Sequence, residues 1–320
     1  MIPCARRTPE ITLAQALDPE AGETGRLNRA TTAAHHRQCL GHGYDAPHQA
    51  IRSVVSEHAI GVFDSGVGGL SVLRSLRQEL PHEDFVYVAD SGHAPYGERD
   101  DLFVVDRSRA ITDYLISRHR IKALVIACNT ATAAAIQILR RQHPTLPIIG
   151  VEPALKPAVA ASATHRIGVM ATRGTLSSGK YAALLASLQG QAEIVNQACE
   201  GLAHAIEVGD TVKTAALCDQ YISRMGGFGS QAGQMDVLVL GCTHYAFAST
   251  HLRSLIGPSI QIMDTGPPVA KRTHHVLTPL LARRQARGTC DFKTSGDPDL
   301  LRVAVQRWLA LVGPVGSLAP

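Results

Sequence analysis

With 320 residues, 45% of them hydrophobic, the chain is long enough to bury one large core or two smaller ones. A net charge of only +4, no dense Lys/Arg run and 4% aromatic residues argue against a nucleic-acid surface or a stacking platform. No apolar run approaches the roughly 18 residues of a membrane span, and seven widely spread cysteines without a C-x-x-C pair fit a reduced, cytoplasmic protein rather than a disulfide framework.

Residues 1–57 differ from the rest. They are rich in Ala, His, Gly and Pro, six arginines balance six acids, and strand patterning is absent, which predicts a disordered N-terminal extension. Arg6 and Arg7 are not followed by an apolar stretch, so this is not a secretory signal. Ile11–Leu17 has the pattern of one short helix. No methionine lies between Met1 and Met170. A misassigned start upstream of a true one near Val54 or Val55 is therefore an alternative account. Mass spectrometry of the native N-terminus separates the two, and peptides from residues 1–50 would exclude the second.

From Ala59 onward strands and helices alternate. Strands are expected at Ala59–Phe63, Phe85–Ala89, Ile121–Ala127, Ile148–Val151, Ile167–Ala171, Glu193–Asn196, Val237–Gly241 and Ile260–Asp264. Helical patterns lie between them, with Leu70, Leu73, Leu76 and Leu80 as one example. This alternation predicts βαβ units, an α/β class and mostly parallel sheets. Gly226–Ser230 reads as a flexible linker, and Asp297–Leu311 as a terminal helix with Pro298 in its first turn.

Two stretches repeat each other. Ile121–Thr130 is an apolar run ending in Cys128-Asn129-Thr130, and Met235–His244 repeats it with Cys242 in the place of Cys128, 114 positions later. Ile60–Gly66 is echoed from Ile167 at an offset of 107. Two pairs at nearly equal offset predict two similar α/β units, each with a cysteine at a strand end, where open α/β sheets hold ligands. A thiol there faces a helix N-terminus, and free backbone N–H groups are available to an anion.

Other strand ends are also polar and glycine-rich. Asp64-Ser65-Gly66-Val67-Gly68-Gly69 matches neither the dinucleotide fingerprint nor a Walker A loop. Pro95-Tyr96-Gly97 forms a turn able to present a hydroxyl and bare N–H groups to a carboxylate. Cys242-x-His244 with His274 and His275 offers a rival zinc reading, disfavoured because the spacing is that of neither a finger nor a ribbon.

Asp64-Ser65-Gly66, Pro95-Tyr96-Gly97, Cys128-Asn129-Thr130, Gly150-Val151-Glu152-Pro153 and Gly241-Cys242-Thr243-His244 stand in the order found in glutamate racemases. Over about residues 58–290 the chain thus resembles the cofactor-independent aspartate/glutamate racemase family. The resemblance implies two Rossmann-like, doubly wound domains, 58–150 with 262–320 and 151–261, and an active site in the cleft between them. It implies interconversion of L- and D-glutamate for peptidoglycan, with aspartate as the nearest alternative substrate, and neither cofactor nor metal. Cys128 and Cys242 become the two acid/base residues, Asp64 assisting the first and His244 the second, with Glu152 tuning the site. Ser65, Tyr96, Gly97, Asn129, Thr130 and Thr243, with Asp64 and His244, become the substrate-binding set. A homodimer and activation by a cell-wall precursor are implied by the same likeness. A binding protein that merely holds an anion at these loops is the alternative from another class. The chemistry suits a thiol, whose ordinary pKa of about 8.5 can be moved toward neutrality by a base or a helix N-terminus, and less activity is expected below neutral pH.

Overall fold

The computed structural model describes residues 57–282 and 284–318. Apart from Glu57, the expected N-terminal extension and the alternative start lie outside those residues.

Two wholly parallel sheets organise the chain. The first contains β1 (Ile60–Asp64), β2 (Phe85–Ala89), β3 (Ala123–Ile126), β4 (Ile148–Gly150), β9 (Cys290–Thr294) and β10 (Val315–Ser317), in the order β10-β9-β2-β1-β3-β4. The second contains β5 (Arg166–Ala171), β6 (Glu193–Ala198), β7 (Val237–Leu240) and β8 (Gln261–Met263), in the order β6-β5-β7-β8. The order 2-1-3-4 in the first sheet is therefore repeated in the second, with β7 standing for β3. That is the structural counterpart of the sequence echo.

Side-chain alternation explains why each sheet is covered on both faces. In β1 to β3, Ile60, Val62, Tyr87 and Val125 pack on one side. They meet α1 (Leu70–Glu79), α10 (Gly266–Leu277) and α11 (Pro298–Leu309). Phe63, Val86, Val88 and Leu124 pack on the other side, against α2 (Asp101–His119) and α3 (Asn129–Gln142). In the second sheet, Ile167, Val169 and Val239 face α4 (Leu155–Ala161) and α6 (Gly179–Ala186). Met170, Leu238 and Leu240 face α7 (Leu202–Glu207), α8 (Thr211–Met225) and α9 (Ser249–Ile256). The short α5 (Arg173–Leu176) follows β5.

After β8 the chain returns to the first sheet, where His274 on α10 pairs with Glu79 of α1 (2.7 Å). The returning segment is clasped at its far end. Lys122 and Glu83, both buried, pair at 2.5 Å, Lys122 Nζ also donates to Leu280 O, and Arg284 pairs with Asp84 at 2.7 Å. The expected flexible linker at Gly226–Ser230 is instead pinned, because Met235 N–H donates to Gly227 O and Gly229 N–H donates to Met235 O (both 3.0 Å). The terminal helix starts where expected, Asp297 accepting from Asp299 N–H (2.8 Å), but stops at Leu309 because Ala310 turns left-handed.

Candidate active site

Each sheet has a switch point where neighbouring strands are entered from opposite directions, between β1 and β3 and between β5 and β7. Ligands of open α/β sheets sit beyond the strand ends at such points. Asp64 ends β1 and Ser65 follows it, Cys128 and Asn129 follow β3, Thr172 follows β5 and Cys242 follows β7. One small pocket gathers these ends, with Asp64 just behind its wall. Ser65, Gly97, Cys128, Cys242 and His244 line it together.

The loops bringing the two sheets together are bonded to each other. Asp64 is fully buried, and its carboxylate accepts from Gly66 N–H (2.9 Å) and from Thr243 Oγ1 (3.1 Å). Ser71 Oγ donates to Thr243 O (3.1 Å). Glu207, the last residue of α7, accepts from Val67 N–H (2.8 Å) and Ser91 Oγ (2.7 Å), and its Oε2 lies 2.7 Å from His244 Nε2. Two glycines make this approach possible. A Cβ on Gly66 would stand 2.2 Å from the Glu207 carboxylate, and one on Gly68 would stand 2.3 Å from His244 Nδ1.

The two thiols have unequal surroundings. Cys128 caps α3, its sulfur accepting from Ala131 N–H (3.4 Å) and lying 3.7 Å from Ser65 Oγ. Those contacts favour the thiolate, but burial and then the Asp64 charge outweigh them and push the thiol up to about 12. The helix start does not bring this sulfur toward neutrality, contrary to the reading from sequence. Asp64 itself is raised, because burial outweighs the nearby His244 charge and the Gly66 bond. Cys242 Sγ lies 3.8 Å from His244 Nδ1. Burial acts to lower His244, yet the contacts with Cys242 and Glu207 lift it well above the ordinary histidine value. Burial acts to raise Glu207, and its bond to His244 holds it below the usual carboxylate range. At neutral pH the pair is imidazolium and carboxylate.

The rest of the lining is polar. Thr130 Oγ1 and Thr172 Oγ1 are 3.2 Å apart, and Thr172 Oγ1 donates to Thr175 Oγ1 (3.0 Å). Asn129 is buried, and neither its amide oxygen nor its amide nitrogen has a protein partner. Buried polar groups are normally paired, so an orphaned amide in a pocket wall points to a ligand that completes it. Among the described residues no cluster of three or more His, Cys, Asp or Glu side chains is arranged to hold a metal ion.

The sequence model of the Asp/Glu/Hydantoin racemase family matches residues 60–271. The chain belongs to that family. Among its relatives, the glutamate racemase of Ectopseudomonas mendocina is 46% identical over 246 residues, 76% of this chain and 91% of the relative. The glutamate racemase of Pseudomonas aeruginosa is 45% identical over 77% of this chain and 91% of its own. A glutamate racemase isoform of Bacillus anthracis superposes with a TM-score of 0.73 at 29% identity, covering 82% of this chain and 98% of its own. The Escherichia coli glutamate racemase, solved with L-glutamate and the activator UDP-MurNAc-Ala, superposes at 0.71 with 28% identity and the same coverage. This racemase is thus an isomerase, with glutamate racemase as the activity its relatives carry.

Of the residues expected in the racemase site, Ser65, Tyr96, Gly97, Cys128, Asn129, Thr130, Cys242, Thr243 and His244 line the one pocket, and Asp64 lies directly behind it on Thr243. Two expectations differ from the structure. Glu152 is exposed and pairs with Lys180 at 3.0 Å, outside the lining of that pocket although it shares an adjoining hollow with Asn129 and Thr175. Tyr96 is in the wall, but its hydroxyl is turned away and donates to Asp90 Oδ2 (2.5 Å), which Arg107 also grips (2.9 and 2.8 Å). His274, a candidate in the zinc reading, is taken by Glu79. The residue that sequence reasoning missed is Glu207. It stands 37 positions from its histidine in an unremarkable helical stretch, and no local motif marks it.

Proposed function

We propose that this racemase interconverts L- and D-glutamate without a cofactor, using Cys128 and Cys242 as the two acid/base groups. The observation carrying this reading is that both sulfurs line one pocket with the orphaned Asn129 amide. In one direction the deprotonated Cys242 sulfur takes the α-proton, and the Cys128 thiol, kept protonated by burial and Asp64, returns a proton to the opposite face. In the other direction the roles exchange. His244, held charged by Glu207, sets an imidazolium N–H against the Cys242 sulfur, and Asp64 acts on Cys128 through its charge. Asn129, Thr130, Thr243, Ser65 and the Gly97 N–H hold the two carboxylates and the ammonium. Preorganised donors stabilise the charge that develops as the α-proton leaves.

In this reading the protein is cytoplasmic, supplies D-glutamate for peptidoglycan, and works as a homodimer whose two halves per chain, one on each sheet, form separate domains. No helix among the described residues is long and apolar enough to cross a membrane. We extend the reading to activation by a cell-wall precursor such as the UDP-MurNAc-Ala of the Escherichia coli structure. A hollow of about 570 Å³, lined by Arg140, Lys156, Lys180 and Arg272 around Glu152, supports it as a seat for phosphate.

The test is incubation of the purified protein with L-glutamate in heavy water, following optical activity and α-deuterium together. Loss of rotation in step with deuterium uptake is expected, and abolition of both in Cys128→Ser and in Cys242→Ser. Normal turnover by either variant refutes the two-thiol assignment. Turnover of aspartate in preference to glutamate refutes the substrate.

A further inference from the structure

The inner pocket adjoins a second, larger hollow of about 490 Å³. The two share Pro95, Gly97, Thr172 and Ala203 in their walls. The outer hollow is lined by two carboxylates, Glu98 and Glu200, and among its described lining residues Arg173 is the one cation. Arg173 follows Thr172 directly, so its backbone adjoins a residue of the inner wall. Its guanidinium is 73% exposed and pairs with Glu200, itself 54% exposed.

This arrangement sets an electrostatic problem. Glutamate arrives with two carboxylates and one ammonium, a net charge of −1. Without Arg173, the passage toward the thiols would present two negative charges to an anion. Exposed ion pairs are weak and exchange readily with other partners. An anion passing the mouth can therefore take the place of Glu200 on the guanidinium. We infer that Arg173 is the capture residue at the mouth of this pocket, trading Glu200 for a carboxylate of the incoming substrate, with Glu200 competing against that capture. The inference rests on the glutamate reading above and deepens it, because it concerns how the anion is admitted and not how the proton moves. Arg173 makes no contact with the sulfurs, so its effect belongs in association rather than in chemistry.

The experiment compares wild type, Arg173→Gln, Arg173→Lys and Glu200→Gln, each assayed with L- and D-glutamate at low and high ionic strength. Charge steering raises association by about tenfold or more and is screened by salt. Arg173→Gln should therefore lower kcat/KM about three- to tenfold at low salt, through KM, with the gap closing at high salt. Arg173→Lys should restore most of the loss. Glu200→Gln should move the other way and lower KM, because the guanidinium is released. Opposite effects of the two neutralising substitutions are what a purely structural ion pair cannot produce. Equal losses in kcat from both, or a KM for Arg173→Gln that matches wild type at every ionic strength, overturns the inference. The wild-type control separates the two levels. If the wild type does not racemise glutamate, the substrate reading fails and takes the capture role with it; if it does, any failure belongs to Arg173 alone.

Discussion

Glu207→Gln tests the least local part of the site. The carboxylate lies 2.7 Å from His244 Nε2, and its side chain is only 10% exposed, so solvent screens the contact little. A hydrogen bond to a charged partner contributes about 1.5–3 kcal/mol. Replacing the carboxylate by a neutral amide weakens that bond and removes the charge, which lowers His244 toward the ordinary histidine value. Val67 N–H and His244 Nε2 both meet Oε2, so a glutamine oxygen at that place keeps both contacts and the substitution removes the charge while the loop after β1 keeps its anchor. The sign follows from the direction of the shifts. His244 is raised in the folded protein, so its contribution to stability is complete below the ordinary histidine value and lost as pH rises through the folded value. Glu207 is lowered, so its contribution is present above the ordinary carboxylate value and lost as pH falls through the folded one. Between those limits the pair is intact. The substitution should move the alkaline limb of kcat to lower pH, because His244 loses the carboxylate charge that helps to raise it. Racemisation followed by circular dichroism across the range in which both proteins stay folded measures it. An alkaline limb that stays in place, with His244 titrating as in wild type by NMR, refutes the reasoning.

Three further outcomes are expected. In the free protein, alkylation at Cys128, read by peptide mass spectrometry, should quicken about tenfold per pH unit, because the thiol titrates at about 12; a plateau below about pH 9 contradicts its burial beside Asp64. Lys122→Met strips the buried Glu83 of its partner and should cost about 3–5 kcal/mol, read as a fall in the urea midpoint with an unchanged slope; a loss under about 1 kcal/mol shows the clasp to be dispensable. Gly68→Ala should push the His244 ring away from Cys242 and cut kcat at least about tenfold, equivalent to about 1.4 kcal/mol, without altering the far-ultraviolet spectrum. Full activity in that variant means the loop yields instead.

The inner strands of both repeated units were legible because each is a short apolar run buried on two faces, whereas β6 and β8, at the edges of the second sheet, are only partly buried. Phe85–Ala89 matches residue for residue, and every other expected strand end falls within two positions of the observed one. β9 escaped detection because its burial is partial. Phe292 and Thr294 are buried while Cys290, Asp291 and Lys293 are half-exposed, so no apolar run marks it. β10 has only Val315 to signal a strand. At the site, residues carried by strand-end motifs were found, since local sequence decides which residue follows a strand. What local sequence does not decide is who bonds to whom across loops. The Tyr96 hydroxyl is captured by Asp90, Glu152 turns to Lys180, and Glu207 reaches His244 from another element. The rise of Cys128 is equally nonlocal, since the helix start was visible in the sequence but the burial and the Asp64 charge that override it were not.

The unequal settings of the two sulfurs have a kinetic consequence. Mirror-image substrates have identical free energies in solution, so their equilibrium constant is one. The Haldane relation then requires the same kcat/KM in both directions, whatever surrounds each thiol. An imidazolium beside one sulfur and a buried carboxyl behind the other can therefore show only as paired differences. The enantiomer that turns over faster must also saturate the protein at proportionately higher concentration. A change confined to one cysteine's neighbours resets which enantiomer accumulates on the protein under load, while net flux follows whichever enantiomer is withdrawn downstream.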